Sequence, residues 1–433
     1  MKLRFATIAL ICVSAHWALA QEHWVATWAA SPQQARGFPQ AAPAAPAGAP
    51  GQPAGGAPQA APPITSFHNQ TVRMIVHTSI AGRRARVELS NLFGSAPLPV
   101  GAAHVALREK ESSIVPGTDR ALTFNGKSSC TIFPGAALLS DPVDLSVPLT
   151  GDLAISVYIP GDSGTLTTHA TALHTTYISK AGDFTAAPAI SEPATTRAWY
   201  WISGVEVLAP AEAAAIVTFG DSITDGATST VDADRSWPAF LTKRLAANPA
   251  TVNLAVLNEG ISGNRLLREN AGPNALARFD RDVLGRPGVK WMTLLEGIND
   301  IGRGTGQAAL AEDAVTPDDL IGAMRQLIER AHSHGIKVIG GTLTPYAGAA
   351  YYSDAGEVMR QAVNRWIRTS GAFDAVVDFE AVVRDPNNPK QIRADFNDRD
   401  HLHPNDAGYK AMADAIDLAL FASKAGASGT GSR

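Results

Sequence analysis

Only two cysteines occur in the 433-residue chain, and that scarcity excludes a disulfide framework. Cys12 lies in an apolar N-terminal run, and Cys130 is alone once that run is removed. Set between Ser128, Ser129, Thr131 and Ile132, Cys130 reads as a small hydrophobe in a strand. Basic charge is also in short supply: 36 Lys and Arg against 40 Asp and Glu give a net charge of −4. No basic excess exists to neutralise phosphates, which argues against nucleic acid or an anionic membrane surface as a partner. No segment has the apolar length of a stable membrane span. A Gly-rich phosphate loop and a dinucleotide fingerprint are both missing, so no cofactor is expected and water is the expected co-reactant. What is present, 45% hydrophobic and 18% charged residues, is the composition of a globular protein with a real core, and the length suggests two domains.

The first residues read as an export signal. Lys2 and Arg4 precede the apolar run Phe5 to Val13, and Ala18-Leu19-Ala20 forms a small-x-small cleavage site before Gln21. A signal peptide over 1–20, cleaved after Ala20, makes the mature protein secreted or periplasmic. Residues 21–35, with Trp24 and Trp28, are expected to pack an N-terminal segment onto the following domain. From Arg36 to Pro63 the chain is almost wholly Ala, Pro, Gly and Gln. Such a segment cannot bury enough apolar surface to offset ordering, so 36–63 is expected to be disordered.

Residues 64–209 read as all-β. Val72, Met74 and Val76 alternate with Arg73, Ile75 and His77, and Ala85, Val87 and Leu89 alternate with Arg86, Glu88 and Ser90. Frequent turn clusters between short runs suggest a β-sandwich or jelly roll. From about Pro210 the pattern becomes α/β. Strand-like runs at 215–219, 252–258, 290–295, 336–340 and 375–379 alternate with helical runs at 237–247, 277–284, 317–334 and 357–369. A last helix is expected from 405 to 422 and a fraying tail over 425–433. Regular βα alternation implies a parallel sheet covered by helices on both faces, a three-layer α/β/α domain over 210–424.

Four blocks in this second half carry chemistry: Gly220-Asp221-Ser222, then Asn258-Glu259-Gly260-Ile261-Ser262-Gly263-Asn264, then Gly297-Ile298-Asn299-Asp300, then Asp400-His401-Leu402-His403. Each lies near a strand end or in a loop. Any one of them is weak evidence. In this order, spread over about two hundred residues, they resemble the SGNH hydrolases, also called the GDSL esterase/lipase family, whose blocks are Gly-Asp-Ser, a glycine, Gly-x-Asn-Asp and Asp-x-x-His. The resemblance covers the C-terminal half and implies a flavodoxin-like parallel sheet and a serine esterase working through an acyl-enzyme.

The roles follow from the chemistry of each residue type. Ser222 needs a base, and a neutral imidazole suits proton removal near neutral pH; His403 is the candidate. Asp400, three residues earlier, can bend back to the other ring nitrogen and fix the tautomer. The resemblance implies an oxyanion hole built from the backbone N–H of Ser222, the backbone N–H of Gly263 and the side-chain amide of Asn299. Asp221 and Asp300 are read as braces. His401 is a decoy beside His403, and Asp395, Asp398 and Asp400 do not form a regular ligand set, so no metal is expected. Gly161-Asp162-Ser163-Gly164 matches the nucleophile tetrapeptide of trypsin-like proteases, with His169 and His174 nearby. In that family the histidine precedes the serine and disulfides brace the fold, so the stretch reads as a turn. No Gly-x-Ser-x-Gly elbow surrounds Ser222, which counts against the α/β-hydrolase family.

The expected activity is hydrolysis of carboxylic esters in a small-molecule or polysaccharide substrate, with a short acyl group such as acetyl. Two readings compete with it. One is a non-catalytic binding protein on the same scaffold. The other is a metal-dependent phosphoester hydrolase using the carboxylates around Asp400. Tyr346, Tyr351 and Tyr352, which follow the fourth parallel strand, are candidates for the substrate cleft.

Overall fold

The computed structural model describes residues 22–35 and 64–421. The export signal of 1–20, the low-complexity stretch of 36–63 and the tail of 425–433 lie outside the described residues.

The β-rich part is a sandwich of two antiparallel sheets. One sheet runs in the order Trp24–Ala29, Ile202–Leu208, Gly82–Ser90, Ala137–Leu139, with Val143–Val147 also paired to Gly82–Ser90. The other is centred on His68–His77 and Asp152–Asp162, flanked by Thr176–Ala181 and Ala102–Lys110. Val72, Met74 and Val76 face the shared core as their alternation predicts. The opposite face is not open to solvent: Ile75 packs with Ala106, Ala154, Tyr177 and Ile190 in a second apolar cluster. Arg73 on that face is fully buried, donating to Ser156 Oγ and to the carbonyls of Ser112, Thr185 and Ala187.

The C-terminal part is a five-stranded parallel sheet: Ala214–Gly220, Leu254–Gly260, Val289–Leu295, Lys337–Gly341 and Ala375–Val377. Its spatial order is second, first, third, fourth, fifth, the doubly wound flavodoxin-like order. The first three strands are buried along almost their whole length, as β-branched runs covered on both faces should be. Helix Pro317–Ser333 opens as expected, with Thr316 and Asp319 forming a reciprocal capping box and proline in the first turn.

Most boundaries shift by one to three residues from the sequence pattern, and three depart from it further. Residues 277–284 do not form one α-helix: Ala275–Phe279 passes into a π-helical turn, Asp280–Leu284, which sets Asp282 inward against Arg278 and Arg281. The strand expected to reach residue 379 stops at Val377, because Asp378 caps a short helix, Phe379–Val383. The last helix spans only Asp406–Asp414. The chain then turns, with Arg244 donating to the carbonyls of Ala413 and Ile416, so that Ile416 and Phe421 enter the core.

The two parts share one continuous apolar core. Strand Trp24–Ala29 pairs with Ile202–Leu208 in the sandwich and also reaches the parallel domain, where Ala26 N–H donates to the Pro287 carbonyl. Trp28 packs edge-on against Trp199 at 4.8 Å, and Trp24 lies under the Arg86 guanidinium. Arg286 bridges the parts by bonding Glu88 at 3.1 Å and Glu259 at 2.7 Å.

Candidate active site

The first parallel strand ends at Gly220, where the chain breaks into a single helical turn, Ser222–Asp225. Asp221 caps that turn by accepting from the Ile223 N–H at 2.9 Å. The turn lies hard against its own strand and the next one. A Cβ on Gly220 would fall 2.2 Å from the Leu295 carbonyl oxygen, and one on Gly260 would fall 2.2 Å from the Asp225 nitrogen. Glycine at these two strand ends is therefore required by close approach. Ser222 is thus set at the carboxyl edge of the sheet, next to the loops that follow the second and third strands.

His403 arrives from the loop before helix Asp406–Asp414. Its Nε2 lies 2.7 Å from Ser222 Oγ, and its Nδ1 lies 2.5 Å from Asp400 Oδ2. The other Asp400 oxygen accepts the backbone N–H groups of Leu402 and His403, both at 2.9 Å, which closes the loop into a tight turn. Burial alone would raise the Asp400 carboxyl. The hydrogen bond and charge of His403, with the two N–H donors, outweigh it and hold the group at about 2. His401, two residues away, turns aside: it bonds Asn397 and covers Gly348. Asp395 is engaged by Arg393 at 2.7 Å, so two of the three carboxylates in this loop already have cationic or imidazole partners.

Gly263 lies in the loop after the second parallel strand, and Asn299 in the first turn of helix Ile298–Thr305. Gly263 adopts φ 82°, and Gly297, just before helix Ile298–Thr305, adopts φ 124°. The Asn299 side-chain amide donates to the Asn264 carbonyl at 3.0 Å, tying this helix to the residue after Gly263. Asp300 reinforces the link by accepting from the N–H groups of Leu266 and Leu267 at 2.8 and 3.2 Å. Burial pushes Asp300 up to about 6 and Asp221 up to about 7, the latter despite its Ile223 N–H bond.

One side chain at this edge, Arg278, is not marked out by the sequence. Arg278, fully buried, donates to the carbonyls of Gly220 and Glu259 at 2.9 and 2.7 Å, to Asn264 Oδ1 at 2.9 Å and to Ser31 Oγ at 2.9 Å. It thereby fixes the ends of two strands and the loop that bears Gly263. Tyr351 donates its hydroxyl to Asn299 Oδ1 at 3.2 Å; Tyr346 is buried and Tyr352 bonds Asp354. The decoy at Gly161-Asp162-Ser163-Gly164 is not the expected turn but the end of strand Asp152–Asp162 running into a loop, where Ser163 Oγ accepts from the Phe67 N–H and Asp162 accepts from the Gly164 N–H. His169 and His174 bond Asp225 and Asp234 instead.

Residues 218–411 match the family model of the GDSL-like lipase/acylhydrolases. No curated protein matches the chain. Among solved structures, a GDSL-like lipase from Bacteroides thetaiotaomicron VPI-5482 is 22% identical, with 48% of this chain and 87% of that one covered and a TM-score of 0.36. Axe2, an acetylxylan esterase from Geobacillus stearothermophilus, is 22% identical, with 47% and 91% covered and a TM-score of 0.37.

Proposed function

We propose that the protein is a secreted serine esterase of the GDSL-like lipase/acylhydrolase family, whose model matches residues 218–411. The observation that carries the reading is the unbroken series Ser222 Oγ, His403 Nε2, His403 Nδ1 and Asp400 Oδ2, with separations of 2.7 and 2.5 Å across each contact.

In this reading Ser222 Oγ attacks the ester carbonyl while His403 Nε2 takes its proton. Asp400 keeps Nδ1 protonated and balances the imidazolium charge. The carbonyl oxygen gains negative charge and is met by the N–H groups of Ser222 and Gly263 and by the Asn299 amide. The tetrahedral intermediate collapses, the C–O bond to the alcohol breaks, and His403 hands its proton to the departing oxygen. Water then gives its proton to His403 and attacks the acyl-serine, releasing the acid and regenerating Ser222. A short acyl group such as acetyl, on a carbohydrate or a small ester, is supported by the confinement of the nucleophile, which is only 4% exposed. The export pattern of the first twenty residues and the added β-sandwich favour a substrate outside the cytoplasm, a polysaccharide ester among them.

The test is a chain-length series of p-nitrophenyl esters together with acetylated xylan, run beside Ser222→Ala. The expected result is fastest turnover of the acetyl ester and loss of all hydrolysis in the variant. Wild type that cleaves none of these substrates, or a Ser222→Ala protein that retains turnover, overturns the reading.

A further inference from the structure

A second series of paired histidines and carboxylates lies on the seam between the two parts of the molecule. His169, from strand Thr167–His169 of the sandwich, places Nε2 3.1 Å from Asp225 Oδ1 and Nδ1 3.0 Å from the Ser31 carbonyl oxygen. His174 Nε2 lies 3.0 Å from Asp234 Oδ1, and His77 Nδ1 lies 3.4 Å from Asp234 Oδ2. Asp225 and Asp234 both stand on the segment that leaves Ser222. The sandwich thus grips the chain directly downstream of the proposed nucleophile.

The ring of His169 has an unusual set of neighbours. A neutral imidazole has one N–H and one lone pair. Both partners of His169 are acceptors: a peptide carbonyl on one side and a carboxylate on the other. Asp225 is an acceptor in its remaining contacts too, since Oδ2 takes the Ser262 N–H at 2.9 Å and the Ser262 hydroxyl at 2.6 Å. Both ring bonds form together only when both nitrogens carry protons. The ring is 3% exposed, so solvent cannot supply the missing partner.

The consequence reaches the reaction site through one residue. Asp225 closes the helical turn that Ser222 opens, and it holds the backbone N–H of Ser262, the residue before Gly263. Its carboxylate therefore couples the turn bearing the nucleophile to the loop bearing an oxyanion donor.

We infer that His169 is a charged positioning residue, contributed by the β-sandwich, which clamps Asp225 and so sets Gly263 relative to Ser222. The inference rests on the esterase reading for its kinetic consequence. The groups facing the ring are Asp225, the Ser31 carbonyl, Glu259 through Ser31 Oγ, and Trp199, against which His174 also stacks. Burial would strip the proton from His169, but the charge and hydrogen bond of Asp225, the Ser31 carbonyl and the charge of Glu259 outweigh it and raise the pKa. A raised histidine pKa means that the clamp is fully made below the ordinary histidine value and is lost as the pH rises through the elevated one.

The test uses the full chain with His169→Gln and His169→Phe, imidazole ¹⁵N chemical shifts, and kcat and KM for p-nitrophenyl acetate across the alkaline range. At pH 7 both ring nitrogens of His169 are expected to be protonated. His169→Phe should lower kcat at least tenfold with KM little changed. His169→Gln can still donate to Asp225 but cannot titrate, so it should keep most of kcat and lack the alkaline decline expected of wild type. A ring with one unprotonated nitrogen at pH 7, a wild-type kcat in the Phe variant, or an unaltered alkaline limb in the Gln variant overturns the inference. If His169→Phe does not fold, the Gln profile and the ¹⁵N shifts still decide. Wild type without ester hydrolysis sinks the esterase reading alone, because the ¹⁵N shifts report the charge of His169 independently of turnover.

Discussion

The Tyr351 hydroxyl donates to Asn299 Oδ1 at 3.2 Å, while Asn299 Nδ2 donates to the Asn264 carbonyl at 3.0 Å. The two contacts together fix which end of the amide is the donor and where it points. Burial, then the charge of Asp221, hold the Tyr351 phenol well above its ordinary pKa, so it stays a donor through the working range. Tyr351 therefore orients the Asn299 amide, which in the proposed reading meets the oxyanion. Removing the amide with Asn299→Ala is expected to lower kcat by about 10²–10³-fold. Tyr351→Phe, which keeps the amide but frees its orientation, should lower kcat by a smaller factor and leave KM nearly unchanged. Steady-state kinetics on p-nitrophenyl acetate check both, and an unchanged kcat in Tyr351→Phe removes the hydroxyl from this role.

Asp400 offers a test through pH. Its carboxyl is held at about 2, so it is ionised throughout the range in which an esterase works. A depressed carboxyl contributes stability above its unfolded pKa and loses it only as the pH falls toward 2. Any acid limb of the rate above about pH 4 must then come from a group other than Asp400. Asp400→Asn should lower kcat on the order of 10⁴-fold, because the asparagine amide favours the wrong tautomer of His403. A full rate with asparagine in place would show that the turn around Asp400, and not its charge, is what matters.

The parallel sheet is legible in the sequence because strand ends follow from hydrophobic periodicity. Ser222, Asp400 and His403 stand out by residue type and by the order of their blocks, Gly263 and Asn299 by the family resemblance, and the structure brings the first three within hydrogen-bond reach of one another. Other features are not legible, because they arise from contacts between residues far apart in the chain. Arg278 meets Ser31 across 247 positions, and His169 meets Asp225 across 56. In the sequence Arg278 is an ordinary arginine in a helical stretch, and His169 belonged to a false protease match. Arg73 alternates with apolar residues and so reads as solvent-facing, but the chain around residues 112 and 184–187 folds over it. Periodicity tells which face a residue takes and is silent on what later covers that face.

Arg278 should carry a large share of the local stability. It is fully buried, its guanidinium lies 3.9 Å from the centre of the Phe219 ring, and it faces the buried carboxylates Asp282 and Glu296 at 3.2 and 3.6 Å. Replacing it with a neutral side chain leaves buried acceptors and charge without a partner. Arg278→Met is expected to destabilise the protein by about 3–5 kcal/mol, measured by urea unfolding. Ester hydrolysis should fall as well, since Gly220, Asn264 and the turn at Ser222 lose their common tether. A loss below 1 kcal/mol would mean that the surrounding network reorganises without it.

Glu296 should behave in the opposite way. It is fully buried immediately before Gly297, and its carboxyl has no side-chain hydrogen-bond partner. Burial is the main cause of a pKa raised well above the ordinary value, with the Asp221 charge adding to it and Arg278 only partly opposing. The native state therefore holds a proton on Glu296 that the unfolded chain releases above its ordinary pKa. With more protons bound in the native state, stability falls as the pH rises above that value. Glu296→Gln imitates the protonated acid and removes the linkage. The variant should match wild type near pH 4 and become progressively more stable than wild type toward pH 8, read as a widening gap in thermal midpoints. A gap of constant size, or one that narrows with rising pH, would show that Glu296 is ionised in the folded protein and that Arg278 neutralises it after all.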